Sequence, residues 1–183
     1  MSPLVPSIGR ELIKPQFSGS TGHAMPTLTK MPTRNVSVIA MSSLVHVISP
    51  DRFDPGTSQT PGCERRAAID PALGIPSALW GGLFEVKPGA RTGIHHHGEQ
   101  ETIAFVLSGA CEIRWGARGE FVAYAKAGDF IHVPALLPHM EGNLSNERPC
   151  RWVVVRSTPS PIVVNLPEAA WPDADTVRPT EVM

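Results

Sequence analysis

Cysteine is scarce. Cys63, Cys111 and Cys150 are the only three in 183 residues, and they lie far apart. An odd, scattered set excludes a disulfide framework and a zinc-knuckle spacing, and it suits a reducing, cytoplasmic compartment. An excess of charge of one sign is missing too. Sixteen Lys+Arg stand against 17 Asp+Glu, a formal net charge of -1, with no basic stripe or acidic tail. Nucleic acid is therefore not an expected partner. No apolar run approaches the ~18–20 residues of a membrane span, and the N-terminus shows no charged, apolar and small-residue succession, so neither a membrane segment nor a signal peptide is expected. Long stretches free of breakers are absent as well, because 19 Pro and 16 Gly are spread along the chain. A helical bundle is thereby excluded, and an all-β, turn-rich domain is predicted.

The chain divides into three by composition. Residues 1–35 are rich in Pro, Ser, Thr and Gly and carry Glu11 as their only acid. They read as a flexible extension, with a basic, acid-poor targeting segment as the competing reading. Residues 36–166 form the predicted domain, and residues 167–183, with Pro167, Pro172 and Pro179, a loose tail. Within the domain, the β-branched alternation of Asn35–Ser49 predicts a strand or two. Residues 50–78 read as loop with a short helix around Glu64–Asp70. From Leu79 strands follow closely: Leu79–Val86, Gly93–His97, Thr102–Leu107, Ala110–Trp115, Phe121–Lys126, Phe130–Val133, Pro138–Gly142, Trp152–Arg156 and a short one at Val163–Leu166. Turns at Pro88-Gly89, Ser108-Gly109, Arg118-Gly119 and Gly128-Asp129 punctuate them, which indicates a sandwich or barrel.

The chemistry concentrates in two stretches. In the first, Gly93-Ile94-His95-His96-His97-Gly98-Glu99-Gln100-Glu101-Thr102, a strand would send His95 and His97 to one face and His96 to the other. In the second, Pro138-His139-Met140-Glu141, the same alternation gives His139 and Glu141 a common face. Three imidazoles and a carboxylate suit Fe, Mn, Ni, Cu or Zn and do not suit Ca or Mg. Around them, Glu99 and Gln100 are candidate partners of the ligating rings. His132 is a strand histidine that alternation could turn inward, and Arg91 is a candidate anion contact at a cavity mouth. Cys111 reads as a buried, inert thiol.

These stretches resemble the two motifs of the cupin superfamily. Gly89, His95, His97, Glu101 and Gly109 match the first, and Gly128, Pro134, His139 and Asn143 the second, with Leu136 in place of an inner glycine and 18 residues between the motifs. The resemblance implies a jelly-roll β-barrel, a small-molecule substrate and a homodimer, with Asn35–Ser49 a candidate strand added to the partner. It also implies a metal held by His95, His97, Glu101 and His139. Counting back from Gly109, however, the usual carboxylate position falls on Thr102. Pirin-like cupins show a similar Glu-Thr pair and take a fourth ligand two residues after the last histidine, where this chain has Glu141. Glu101 and Glu141 are thus both candidate ligands and, when not ligated, candidate general bases. The implied cofactor is a divalent transition metal, Fe(II) first. The implied reaction is dioxygenase-type oxidation, with a metal-dependent isomerase, lyase or decarboxylase, or a non-catalytic ligand-binding protein, as alternatives.

Overall fold

The computed structural model describes residues 44–56, 62–172 and 177–182, all within the unit Ser37–Met183. Among the described residues, eleven strands account for nearly all regular structure: β1 (Cys63–Ile69), β2 (Trp80–Val86), β3 (His95–His96), β4 (Thr102–Ser108), β5 (Ala110–Trp115), β6 (Phe121–Lys126), β7 (Phe130–Val133), β8 (His139–Asn143), β9 (Cys150–Arg156), β10 (Val164–Asn165) and β11 (Thr180–Glu181). They form two sheets, ordered β1-β2-β9-β4-β7 and β10-β3-β8-β5-β6-β11. Every pairing is antiparallel except that of β11 with β6. This is the predicted jelly-roll barrel.

The core follows from strand alternation. On β9, Cys150, Trp152, Val154 and Arg156 are buried, while Arg151 faces out and pairs with Glu85. On β4, Thr102, Ala104 and Val106 are buried, and Ile103 and Leu107 are exposed. Side chains from both sheets meet in one cluster that includes Trp80, Phe84, Val106, Cys111, Ile113, Trp152 and Val154. Burying an apolar side chain of this size contributes about 1.5–3 kcal/mol. The tight β4–β5 turn depends on Gly109, whose φ is 84 and whose missing Cβ would come within 2.9 Å of the Cys150 Cα. A side chain there would clash with backbone, which cannot move aside.

Three elements differ from expectation. The helix predicted over Glu64–Asp70 is instead β1, paired along β2 from Cys63↔Val86 to Ile69↔Gly81. The run Glu64-Arg65-Arg66 hides the alternation there, because Arg65 is charged yet inward-facing. The strand predicted over 35–49 lies partly outside the described residues. From 44 to 49 the chain is irregular, and Leu44, Val45 and Val47 are exposed. The segment after residue 166 was expected to be loose, but it docks at two points. Trp171 is buried beside Ile94 and Met140 and lies on Gly119, and β11 pairs with β6.

Candidate metal centre

Two neighbouring strands bring the histidines together. His95 on β3 stands directly across from His139 on β8. His97 follows β3 on the same face, and His96 turns away, its Nδ1 accepting from the Gly98 N–H. The ligating atoms of His95, His97 and His139 all lie within 4.8 Å of one another, and all three residues are buried. Ring centroids are 4.4–5.1 Å apart.

The Nδ1 atoms are already engaged. That of His95 lies 3.0 Å from the Gly93 carbonyl, that of His139 2.8 Å from the Leu137 carbonyl, and that of His97 2.7 Å from Thr102 Oγ1. A carbonyl can only accept, so the neutral rings of His95 and His139 carry their proton on Nδ1 and present an Nε2 lone pair. The Nε2 atoms of His97 and His139 are buried without a hydrogen-bond partner. Lone pairs crowded in a dry cavity are costly unless something positive lies between them. A transition-metal ion fits this donor set.

Glu141 joins the group from β8. Its Oε1 is 3.4 Å from His139 Nε2 and its Oε2 is 3.7 Å from His95 Nε2. Thr92 fixes the carboxylate: its hydroxyl donates to Oε2 at 2.9 Å and accepts from the Glu141 N–H. Glu101 is placed differently. Its side chain is 63% exposed and reaches His132 Nε2 at 3.5 Å on the outer surface. Thr102, the position obtained by counting back from Gly109, takes the inward place and holds His97.

Electrostatics follow the burial. Desolvation lowers the His95 pKa and pushes that of His97 down to about 2, with the positive charge of Arg156 adding to the effect on His97. Burial alone would raise Glu141, but His95 and His139 outweigh it and hold the carboxyl well below its usual range. Burial likewise disfavours the His139 cation, and the Glu141 charge reverses this to raise it.

Other expectations resolve plainly. Gln100 is buried; its side chain ties the loop to Thr158, Ser160 and Ile162, and its backbone N–H donates to the His97 carbonyl at 3.1 Å. Glu99, Arg91 and His132 are exposed. Cys111 is buried, as expected. Trp152 and Phe84 line the cavity with Ile113, Ile131 and Val154. Two lining residues went unnoticed in the sequence, Arg65 and Arg156. Alternation from Trp152 through Val154 would have turned Arg156 inward. Arg65 had no such signal while its segment read as a helix.

A family profile described as a cupin domain matches residues 82–156, which contain every histidine and carboxylate of the cluster. Residues 82–156 are a cupin domain. No curated protein matches the sequence. Solved structures with a similar fold include the Lactobacillus farciminis oxalate decarboxylase–formate complex, at 18% identity and TM-score 0.53 over 60% of this chain. They also include an oxalate oxidase bound to the substrate analogue glycolate, at 20% identity and TM-score 0.51 over 61% of this chain. A third is a Klebsiella pneumoniae conserved protein with a double-stranded β-helix domain, at 18% identity and TM-score 0.52 over 68% of this chain. The alignments span 32%, 59% and 99% of those three chains respectively. At such identities the likeness is one of cupin fold.

Proposed function

We propose that this cupin is a metal-dependent enzyme that oxidises a small organic molecule with dioxygen, using an ion held by His95, His97, His139 and Glu141. The observation that carries this reading is the convergence of three buried imidazoles and one buried carboxylate in an apolar cavity. A bound divalent transition metal, Fe(II) first and then Mn, Ni, Cu or Zn, supplies Lewis acidity and open positions for oxygen donors. The protein supplies the remainder. The Gly93 and Leu137 carbonyls and Thr102 fix the rings, and Thr92 fixes Glu141. Phe84, Ile113, Trp152 and Val154 keep the cavity dry, which strengthens every charge interaction inside it. Of the two carboxylates considered as ligands, Glu141 faces the cavity and Glu101 the outer surface, which favours Glu141 as the fourth ligand.

The same site supports a second reading, a metal-dependent decarboxylase, isomerase or lyase that needs no oxygen. The similar folds include a decarboxylase beside an oxidase. One experiment separates the readings. Protein purified without added metal is analysed for its elements, loaded with Fe(II), and offered small organic acids under air and under argon. Oxygen uptake that needs both metal and substrate supports the oxidase; turnover under argon supports the second reading. Failure to accept any ion, with His95→Ala leaving ligand binding unchanged, sinks both and leaves a ligand-binding cupin. Three buried free thiols support a cytoplasmic setting, and light scattering tests the homodimer that the cupin fold implies. No helix among the described residues is long and apolar enough to cross a membrane.

A further inference from the structure

Two thiols that the metal site does not use meet at the end of the barrel where the β4–β5 turn joins the sheets. Cys111 lies on β5 and Cys150 opens β9, so they belong to opposite sheets. The turn draws them together. Ser108 pairs with Arg151, and the Gly109 backbone presses on Cys150, so that a Cβ on Gly109 would come within 3.2 Å of the Cys150 Cβ. Both cysteines are fully buried, and their side chains share a hydrogen bond.

The pair is asymmetric. Trp152 Nε1 donates to Cys150 Sγ at 3.0 Å, and the Cys111 thiol is a second donor to the same sulfur, with the Ala125 carbonyl at 3.7 Å as its other acceptor. Two donors on one sulfur favour its thiolate, which is the nucleophilic form. The Cys111 contact holds the Cys150 pKa below its ordinary value against the opposing effect of burial, with Trp152 adding to it, and the same contact raises Cys111. A buried indole N–H needs an acceptor. That need accounts for Cys150 but not for a second thiol beside it, where alanine or valine would fill the core equally well. The two sulfurs also have a route to solvent. A surface groove of about 580 Å³ is lined by Gly109, Ala110 and Pro149, and Ala110 and Pro149 are the chain neighbours of Cys111 and Cys150.

We propose that Cys111 and Cys150 are an oxidisable pair, which hydrogen peroxide arriving through this groove closes to a disulfide between the two sheets. The Cys150 thiolate attacks one peroxide oxygen. The O–O bond breaks, Cys150 becomes a sulfenic acid, and the departing hydroxide takes up the proton that Cys150 released, as water. The Cys111 sulfur then attacks the Cys150 sulfur. The S–O bond breaks, hydroxide leaves with the Cys111 proton as a second water, and the S–S bond forms. Two thiols thereby lose two electrons and two protons, and one peroxide is reduced to two waters. A small dithiol reverses the reaction by exchange. The bond ties β5, where Ile113 stands opposite Glu141, to β9, where Trp152 lines the metal cavity. None of this chemistry rests on the metal.

Peptide mapping of the full chain tests the pair. Protein as purified is reduced, freed of reductant and treated with hydrogen peroxide in excess, with a chelator present to hold stray iron and copper. It is then quenched with catalase, unfolded and alkylated. Cys111 should be found joined to Cys150, with Cys63 alkylated, and dithiothreitol should return all three thiols. The oxidised chain should also unfold at higher urea than the reduced one, because the bond closes a loop in the unfolded state. Cys111→Ala should leave Cys150 as a sulfenic acid that dimedone traps, Cys150→Ala should slow oxidation of Cys111 roughly tenfold or more, and Cys63→Ala should leave the crosslink unchanged. Cys111 and Cys150 both alkylated in the unaltered chain after peroxide treatment overturn the proposal without recourse to any variant. So does a crosslink of either to Cys63, or a mixture of all pairings such as an unfolded chain gives. Cys150 driven to a sulfinic acid while Cys111 stays reduced overturns it as well.

Discussion

Glu101 and Glu141 share a chemistry and similar surroundings in the sequence, four and two residues after a cluster histidine, yet the barrel sends them to opposite sides of its wall. Glu141 lies within β8, so it shares the face of His139 by alternation alone. Glu101 is the last residue before β4. The register of that strand is set against β7 and β9 from Thr102 onward, with Thr102 inward, so the residue before it must face out. Parity inside a paired strand is a reliable guide to where a side chain goes. A count carried across the Gly98–Gln100 loop is not, because a loop can absorb one residue without disturbing either strand.

The most direct way to break this contrast is to neutralise each carboxylate in turn. Glu141→Gln should lower metal affinity by roughly 100-fold or more, beyond the 10–100-fold typical of residues that merely orient ligands. Glu101→Gln should change it less than about threefold, as expected of an exposed side chain. Competition with a chromophoric chelator measures both, with circular dichroism to confirm folding. A larger loss in Glu101→Gln would return the fourth ligand to the first motif.

Acid sharpens the same contrast between the inside and the outside of the barrel. His97 is pushed down to about 2, chiefly by burial and then by Arg156, whereas in the unfolded chain it titrates near ~6.5. Between these values the unfolded state binds a proton that the native state refuses, so stability rises with pH across the window. His97 alone should make the metal-free protein about 2 kcal/mol less stable at pH 5 than above pH 6.5, at 1.36 kcal/mol per pH unit. His139, shifted upward beside Glu141, offsets part of this. Urea unfolding at pH 7.5 and pH 5 reads the difference, and His97→Gln should flatten it. An unchanged profile would mean that water reaches the ring.

Thr102 tests whether the place vacated by a carboxylate still serves the site. Its hydroxyl lies 2.7 Å from His97 Nδ1, so it positions a ring and does not itself face the ligating nitrogens. Thr102→Val should cost about tenfold in metal affinity, less than Glu141→Gln, and Thr102→Ser should recover most of it. An effect as large as that of Glu141→Gln would make Thr102 a ligand-side residue.

The parts of the barrel legible in the sequence were those governed by local rules. Gly109 and Gly128 mark turns where φ is 84 and 98, and β4 through β7 lie within one residue of their predicted spans. The histidines converge because their spacing obeys strand parity. What escaped depended on partners distant in sequence. β1 looked helical because Arg65 occupies an inward place normally filled by an apolar residue, and it is a strand because β2 pairs with it. Trp171 and β11 were misread as tail because short segments next to prolines carry little periodicity, and only Gly119 and β6 reveal their docking places.

Leu136 offers the finest test of whether loops or strands set the site. It stands where the cupin pattern has glycine, with φ 61, its side chain exposed and its N–H donating to the Gly98 carbonyl at 2.7 Å. A left-handed backbone costs a residue with a Cβ roughly 1–2 kcal/mol, while glycine loses roughly 0.5–1 kcal/mol more entropy on folding. Leu136→Gly should therefore stabilise the protein by about 0.5–1 kcal/mol in urea titration. That single hydrogen bond joins the loops of the two histidine segments, so the variant also reports on the centre. If strand pairing through His95↔His139 fixes the imidazoles, metal affinity should stay the same while stability rises. If affinity falls as the loop relaxes, the strained leucine is holding the two segments in register, and parity alone would not be enough to build the site.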